Sequence, residues 1–450
     1  MAEVQGFHTR TERRLPDALL STRGADRQKL QNIKAIVHKE LIQRVDLHLL
    51  TGAQESYGGH QQLLAAVHDL LSNQDMPLSV TERNVIAQEV LDELFGFGPL
   101  QPLFDDPSVS DVLVNTHRCV YVERYGLLQQ TDVTFTDEQH LMQIIDKMVS
   151  GAGRRVDESS PMVDCRLPDG SRVNVILPPL AVDGPIVSIR RFGSSSMSGE
   201  DLIHSRMLTS PMLQLLAAAV KARLNIVVSG GTGAGKTTLL NVLSGFISDG
   251  ERIVTIEDSA ELQLKQAHTV RLETRPPNVE GKGAVRQREL VINALRMRPD
   301  RIILGEVRGE ETLDMLQAMN TGHDGSITTV HSNTPRDAIA RLETLAMMGD
   351  IRISEGAVRA QIASAVQLVV QVSRMPDGTR RVSHISEITG SSGDVVLMQD
   401  IFRFERTGLD GENRVKGKFM ATGVMPKFAT RLAEAGIPMP SGLGQHCLEV

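Results

Sequence analysis

Residues 226–238 read Ile-Val-Val-Ser-Gly-Gly-Thr-Gly-Ala-Gly-Lys-Thr-Thr, and an amphipathic run, Leu239-Leu240-Asn241-Val242-Leu243, follows directly. The spacing Gly230-x-x-x-x-Gly235-Lys236-Thr237 is the G-x-x-x-x-G-K-[ST] signature, and here it stands between an apolar strand pattern and a helix pattern, the context that gives the signature its meaning. Glycines are required because the loop must turn its backbone N–H groups onto phosphate oxygens at close range, which side chains would block. The helix N-terminus adds partial positive charge. Lys236 reaches the β- and γ-phosphates and the Thr237 hydroxyl belongs on Mg²⁺, so Gly230, Gly231, Thr232, Gly233, Ala234, Gly235, Lys236, Thr237 and Thr238 are the expected nucleotide-binding residues, with ATP and Mg²⁺ as ligands.

Outward from this loop, helix and strand patterns alternate: a helix near 209–222, a strand at 225–229, a helix at 235–247, a strand at 252–257, a helix at 285–297, a strand at 301–305, a helix at 310–320, a strand at 326–331 and a helix at 335–347. Such alternation predicts an α/β domain with a mostly parallel sheet covered on both faces. The runs Leu368–Arg374, Arg380–Ile388 and Val395–Phe404, with a short helix near 426–435, read as antiparallel strands appended to that core. Upstream, β-branched runs at 109–114, 120–123, 172–177 and 186–190 surround one amphipathic helix at 137–150, an α+β domain with one sheet. Before it the pattern is helical: Leu30, Ile33, Val37, Leu41 and Val45 recur at spacings of three and four, and Ser79 with Glu82 forms a capping box. The expected organisation is a flexible arm at 1–24, a helical domain at 25–104, the α+β domain at 105–192, a Gly/Ser-rich linker at 193–200 and the ATPase domain at 201–450.

Hydrolysis needs a carboxylate that orients or deprotonates water. Two acidic motifs at strand ends compete for this role, Val254-Thr255-Ile256-Glu257-Asp258 and Ile302-Ile303-Leu304-Gly305-Glu306. In many P-loop ATPases the second would end Asp-Glu with the Asp on Mg²⁺; Gly305 stands where that Asp belongs. Both Glu257 and Glu306 are candidates, Glu306 also for the metal.

A net charge of −7, no Trp and 3 Tyr leave neither the electrostatic footprint nor the stacking platforms of a nucleic-acid binder, so no direct nucleic-acid contact is expected. Cys119, Cys165 and Cys447 form no CxxC pair and read as reduced thiols. No run approaches the roughly 20 apolar residues of a spanning helix, and the first 20 residues lack a signal-peptide pattern, so a soluble, intracellular protein is expected.

The motif set resembles the hexameric secretion and pilus-assembly ATPases. Ile256-Glu257-Asp258 resembles their aspartate box, Leu304-Gly305-Glu306 their modified Walker B, and the run from Thr321-Gly322-His323 to His331-Ser332-Asn333 their histidine box. The strings at 93–100, 110–115, 161–174, 293–306 and 313–323 are similar to the Tad (Flp) pilus ATPases of the TadA/CpaF type, and the similarity spans about residues 80–405. It implies a RecA-like P-loop domain behind a PAS-like α+β domain and a helical N-terminal segment, Glu257 as the catalytic carboxylate, His331 sensing the γ-phosphate and His323 facing a neighbouring subunit. It also implies N-terminal arginines closing over the phosphates, for which Arg166 and Arg172 are the first candidates and Arg154 and Arg155 the reserves. Arg271, Arg288, Arg296 and Arg308 lie near the acidic motifs, and Ile292 departs from the basic residue expected there. A homohexamer is implied, cytoplasmic and peripheral at the inner face of the bacterial inner membrane, held there through platform proteins of a pilus or secretion machine. The alternatives are a type IV secretion or conjugation ATPase, and a RecA-like nucleic-acid translocase.

Overall fold

The computed structural model describes residues 36–37, 40–41, 57–72, 78–124, 126–192, 197–277, 281–349, 353–411, 413–440 and 447–449. The expected arm at 1–24, the apolar positions Leu30, Ile33 and Val45, and residues 193–196 of the expected linker lie outside them. The chain divides into two compact units, Met1–Arg191 and Phe192–Val450.

In the first unit, α1 (Tyr57–Ser72) and α2 (Val80–Phe95) pack around Val67, Leu70, Leu71, Ile86 and Val90, together with Val37 and Leu41. The capping box at the start of α2 is formed: the Ser79 hydroxyl accepts from the Glu82 N–H at 3.2 Å, and the Glu82 carboxylate accepts from the Ser79 N–H at 2.8 Å. After a short helix, α3 (Gln101–Asp105), six strands form an antiparallel sheet in the order β3 (Leu127–Gln130), β2 (Cys119–Arg124), β1 (Val109–Thr116), β6 (Ile186–Arg190), β5 (Arg172–Ile176) and β4 (Met162–Arg166). Alternate residues such as Val112, Val114, Val173, Val175, Val187 and Ile189 point to one face. There α4 (Glu138–Gly151) lays down Leu141, Ile144, Ile145, Met148 and Val149, the apolar stripe its spacing predicts.

The second unit is built on a ten-stranded sheet. β7 (Ile226–Gly230), β8 (Ile253–Glu257), β10 (Arg301–Leu304) and β11 (Ile327–Val330) are buried at every residue, as strands of a parallel sheet covered on both faces must be. Ile226 and Val228 join one core with α5 (Gly199–His204), α6 (Ser210–Lys221) and α7 (Lys236–Ser244). Val227, pointing the other way, joins a second core with α8 (Gln287–Ala294), α9 (Glu311–Asn320), α10 (Pro335–Ala346) and α11 (Glu355–Ala365).

The strand order is β16-β15-β14-β13-β12-β7-β11-β10-β8-β9, with β9 at Thr269–Glu273, β12 at Leu368–Arg374, β13 at Arg380–Ser392, β14 at Val395–Leu409, β15 at Val415–Ala421 and β16 at Cys447–Glu449. Two local readings are corrected. Leu368–Arg374 is no appended antiparallel strand: it pairs in parallel with β7 and belongs to the central sheet, and antiparallel pairing begins only at β13. Strand β9 and helix α11 had no counterpart in the sequence reading. From β7 the chain crosses to β8, comes back through β10 and β11, and then places β12 on the other side of β7. The C-terminal end of β7 is therefore a topological switch point, where open α/β sheets form their ligand crevice.

Candidate nucleotide site

The loop after β7 takes the shape its glycines allow. Gly233 and Gly235 have φ of +69° and +98°, a region that L side chains rarely enter. At Gly230 a Cβ would stand 2.4 Å from the Val372 carbonyl oxygen, so only glycine lets the loop run this close to β12. Helix α7 opens at Lys236, and Thr237 and Thr238 occupy its first turn, half-buried. The Lys236 side chain is buried beneath the loop, its Nζ donating to the Gly230 and Gly231 carbonyl oxygens at 3.1 Å each.

Because β7, β8, β10 and β11 are parallel, the residues that end them share one edge of the sheet. The Gly305 N–H donates to the Ile256 carbonyl at 2.9 Å and the Thr329 hydroxyl to the Gly305 carbonyl at 2.8 Å, locking the ends of β8, β10 and β11 together. A chain of polar contacts follows. Lys236 Nζ lies 3.3 Å from His331 Nε2, His331 Nε2 lies 2.9 Å from Glu306 Oε1, Glu306 Oε2 accepts from Arg308 Nη2 at 2.9 Å, and Arg308 Nη1 donates to Asp258 Oδ2 at 3.1 Å. Burial, and then the Lys236 charge, push His331 below the usual imidazole range, against the pull of Glu306. A neutral His331 with its proton on Nε2 donates to Glu306.

Glu257 stands apart from that chain. It is 3% exposed, its Oε2 accepts from the Glu261 and Leu262 N–H groups at 2.7 and 2.9 Å, and its Oε1 is buried with no protein partner among the described residues. Burial pushes its carboxyl up to about 7, outweighing those two hydrogen bonds. Burial thus brings the Glu257 carboxyl to where it can exchange a proton near neutrality, and Glu306 is engaged by Arg308 and His331. The loop, the buried lysine and hard oxygen donors suit a nucleoside polyphosphate with Mg²⁺. No group of three or more His, Cys, Asp or Glu able to hold a metal occurs among the described residues. A magnesium ion shared with phosphates needs only one or two protein ligands, so the donor set fits.

A family model described as "Type II/IV secretion system protein" matches residues 93–398. The chain belongs to that family. Proteins similar to it include a putative conjugal transfer protein of Mycobacterium tuberculosis (strain H37Rv), 40% identical over 67% of this chain and 87% of its own length. The conjugal transfer protein TrbB of Rhizobium radiobacter is 34% identical over 64% of this chain and 85% of its own. Among solved structures, the VirB11 ATPase of the Brucella suis type IV secretion system, in complex with sulphate, is 28% identical, with a TM-score of 0.35 over 65% of this chain and 97% of that one. No described helix of this family member is long and apolar enough to cross a membrane.

The remaining expected site residues fall elsewhere. His323 lies between α9 and β11, at the opposite end of β11 from His331, so within one chain it does not join the cluster around Lys236; its Nδ1 is buried with no hydrogen-bond partner among the described residues. Arg166 and Arg172 belong to the first unit, directly opposite each other on β4 and β5. Arg166 Nε donates to the Gly170 carbonyl at 3.2 Å, Arg172 Nε to Asp164 Oδ1 at 2.9 Å, and Arg155 Nε to Asp157 at 2.7 Å. Arg288 is held by Glu310 and Asp314, and Arg271 Nη2 donates to the Ala260 carbonyl at 2.9 Å, close enough to Glu257 to favour its charged form. The sequence reading missed Arg374 and Arg380 beside the loop. Arg380 Nε donates to the Gly233 carbonyl at 3.0 Å across 147 residues of chain, a contact that no local pattern announces.

Proposed function

We propose that the chain hydrolyses ATP at the Gly230–Thr238 loop and acts as a motor of a type II/IV secretion-class machine. The observation that carries this reading is the convergence of Lys236, His331, Glu306 and the buried, proton-tuned Glu257 on one edge of the parallel sheet. Backbone N–H groups of the loop and Lys236 hold the phosphates. Glu257 takes the proton from a water whose oxygen forms the bond to the γ-phosphorus; the bond to the β,γ-bridging oxygen breaks and ADP keeps its electron pair. Glu306 orients His331, which reads the γ-phosphate from beside Lys236. Thr237 and Glu306 are the residues that would hold Mg²⁺, which when bound neutralises phosphate charge.

The resemblance supports a homohexamer in which Arg166 and Arg172 serve the phosphates of a bound nucleotide. His323 would then face the neighbouring subunit. The ring would work peripherally at the inner face of the inner membrane, through a platform protein. For the machine itself, the relatives named for conjugal transfer favour a type IV secretion or conjugation channel. The strings at 93–100, 110–115 and 161–174 favour a Tad-type pilus.

Steady-state phosphate release from ATP by the purified chain tests the core of this, with Lys236→Ala as control. Turnover abolished by the substitution is the expected result; equal turnover in both proteins contradicts the site. Loss of filaments in a deletion strain points to the pilus, loss of DNA transfer to the conjugation channel.

A further inference from the structure

The nucleotide loop has a neighbour that its own motif does not include. Strand β12 pairs with β7 as far as Val372 opposite Gly230, and then continues two residues further, carrying Arg374 past the start of the loop. The chain turns and comes back as β13, with Arg380 directly opposite Arg374. The turn is tightly held. The Asp377 carboxylate accepts from the Thr379 N–H at 3.0 Å and the Thr379 hydroxyl at 2.6 Å, while its second oxygen accepts from the Val415 N–H on β15 at 2.7 Å. Those bonds hold the Asp377 carboxyl below its ordinary range despite partial burial.

Both arginines point at the loop. Arg380 Nε donates to the Gly233 carbonyl at 3.0 Å, and its Cδ lies 3.3 Å from where a Gly235 Cβ would be. Arg374 Nη1 lies 3.4 Å from the equivalent point on Gly233. Two arginines thus stand opposite each other on neighbouring strands beside the loop. Planar forks of this kind are also the side chains best matched to phosphate oxygens.

We propose that the β12–β13 hairpin is a second, cationic wall of the nucleotide site. Arg374 contacts the phosphate chain of a bound nucleoside di- or triphosphate from the β12 side. Arg380 is a positioning residue that fixes the loop through the Gly233 carbonyl. This inference rests on the nucleotide reading of the loop and extends the site to residues outside every motif that marks it.

The test is equilibrium binding of a fluorescent N-methylanthraniloyl ADP to the full chain, with steady-state ATP kinetics. Arg374→Gln weakens the ADP analogue about tenfold and raises KM for ATP by a similar factor with kcat unchanged, as loss of a contact made equally in ground and transition states requires. Arg374→Lys recovers part of the affinity. Arg380→Gln lowers kcat as well, because the loop itself shifts. Inorganic pyrophosphate, used as competitor, loses affinity for Arg374→Gln in parallel with the ADP analogue. Wild-type affinity and KM in both Gln variants overturn the proposal while leaving the nucleotide site intact, and so does a loss confined to the ADP analogue and absent for pyrophosphate. A wild-type chain that binds no ADP analogue overturns the nucleotide reading and this extension together. Arg374 is exposed, so its variants carry the test even if Arg380→Gln fails to fold.

Discussion

The Cα of Gly305 packs directly against the side chain of Glu257: a Cβ on Gly305 would stand 3.0 Å from Glu257 Cγ and 3.5 Å from Glu257 Cβ. The two acidic motifs are thus one steric unit. The absence of a side chain at 305, a departure from the generic motif, lets Glu257 lie in close contact with the backbone there. Gly305→Asp therefore cannot restore a generic metal site without displacing Glu257. We expect Gly305→Asp to lower kcat with the fold preserved, because Glu257 must give way beside the new side chain and misplacing a reacting group by about 1 Å costs on the order of 100-fold. Comparison of kcat and the circular dichroism melting curve checks it.

The pH dependence of turnover follows from the same carboxyl. Glu257 titrates near 7, and a base must be deprotonated to accept a proton, so log kcat/KM rises with slope one below about pH 7 and levels off above it. Stability runs the opposite way. The folded carboxyl lies above its ordinary 4.5, so folding favours the protonated form: this contribution is complete below pH 4.5 and is lost as pH rises through 7. Glu257→Gln should accordingly melt higher than wild type at pH 8, by an amount worth up to about 3 kcal/mol, and match it at pH 4.5. Melting curves at the two pH values measure this.

His331 offers a signed test of the polar chain. Its pKa lies below the ordinary 6.5 through burial and Lys236, while Glu306 pulls it upward. In a histidine NMR titration, Lys236→Met raises the His331 pKa and Glu306→Gln lowers it further. Identical titrations in all three proteins would contradict the contacts drawn here.

Away from the site, Arg301 is fully buried, with Nε bonded to Glu251 Oε2 at 2.7 Å and Nη2 to Glu251 Oε1 at 3.0 Å. Glu251→Gln leaves a buried guanidinium without its counter-charge and should cost about 3–5 kcal/mol. Urea unfolding gives the number.

How much of this was legible beforehand depends on how far each signal reaches along the chain. The loop at 230–237 and its flanking elements are local, so glycine chemistry and strand–helix context located them in advance, and the alternation after 209 gave the α/β core within a few residues. Leu368–Arg374 misled because an apolar run before hairpins looks alike whether its first partner is the next strand or β7, some 140 residues earlier. Strand β9 is short and half-exposed, and α11 has only a weak apolar stripe, so neither shows a clear period. Arg374 and Arg380 look like solvated hairpin residues until the sheet brings them to the loop. The paired glutamates were visible as motifs. The motifs alone did not rank them and the resemblance favoured Glu257; the burial of Glu257 and the Arg308 contact of Glu306, which bear on the choice, are products of packing.

The central claim is that Glu257 is the base for ATP hydrolysis, and single-turnover hydrolysis of bound ATP by Glu257→Gln tests it most directly. The substitution keeps the shape and one hydrogen-bond acceptor but cannot accept the proton. Binding of ATP at wild-type affinity with a hydrolysis rate lowered by about 100-fold or more is the predicted result. Hydrolysis at the wild-type rate would show that the proton goes elsewhere and would contradict the account.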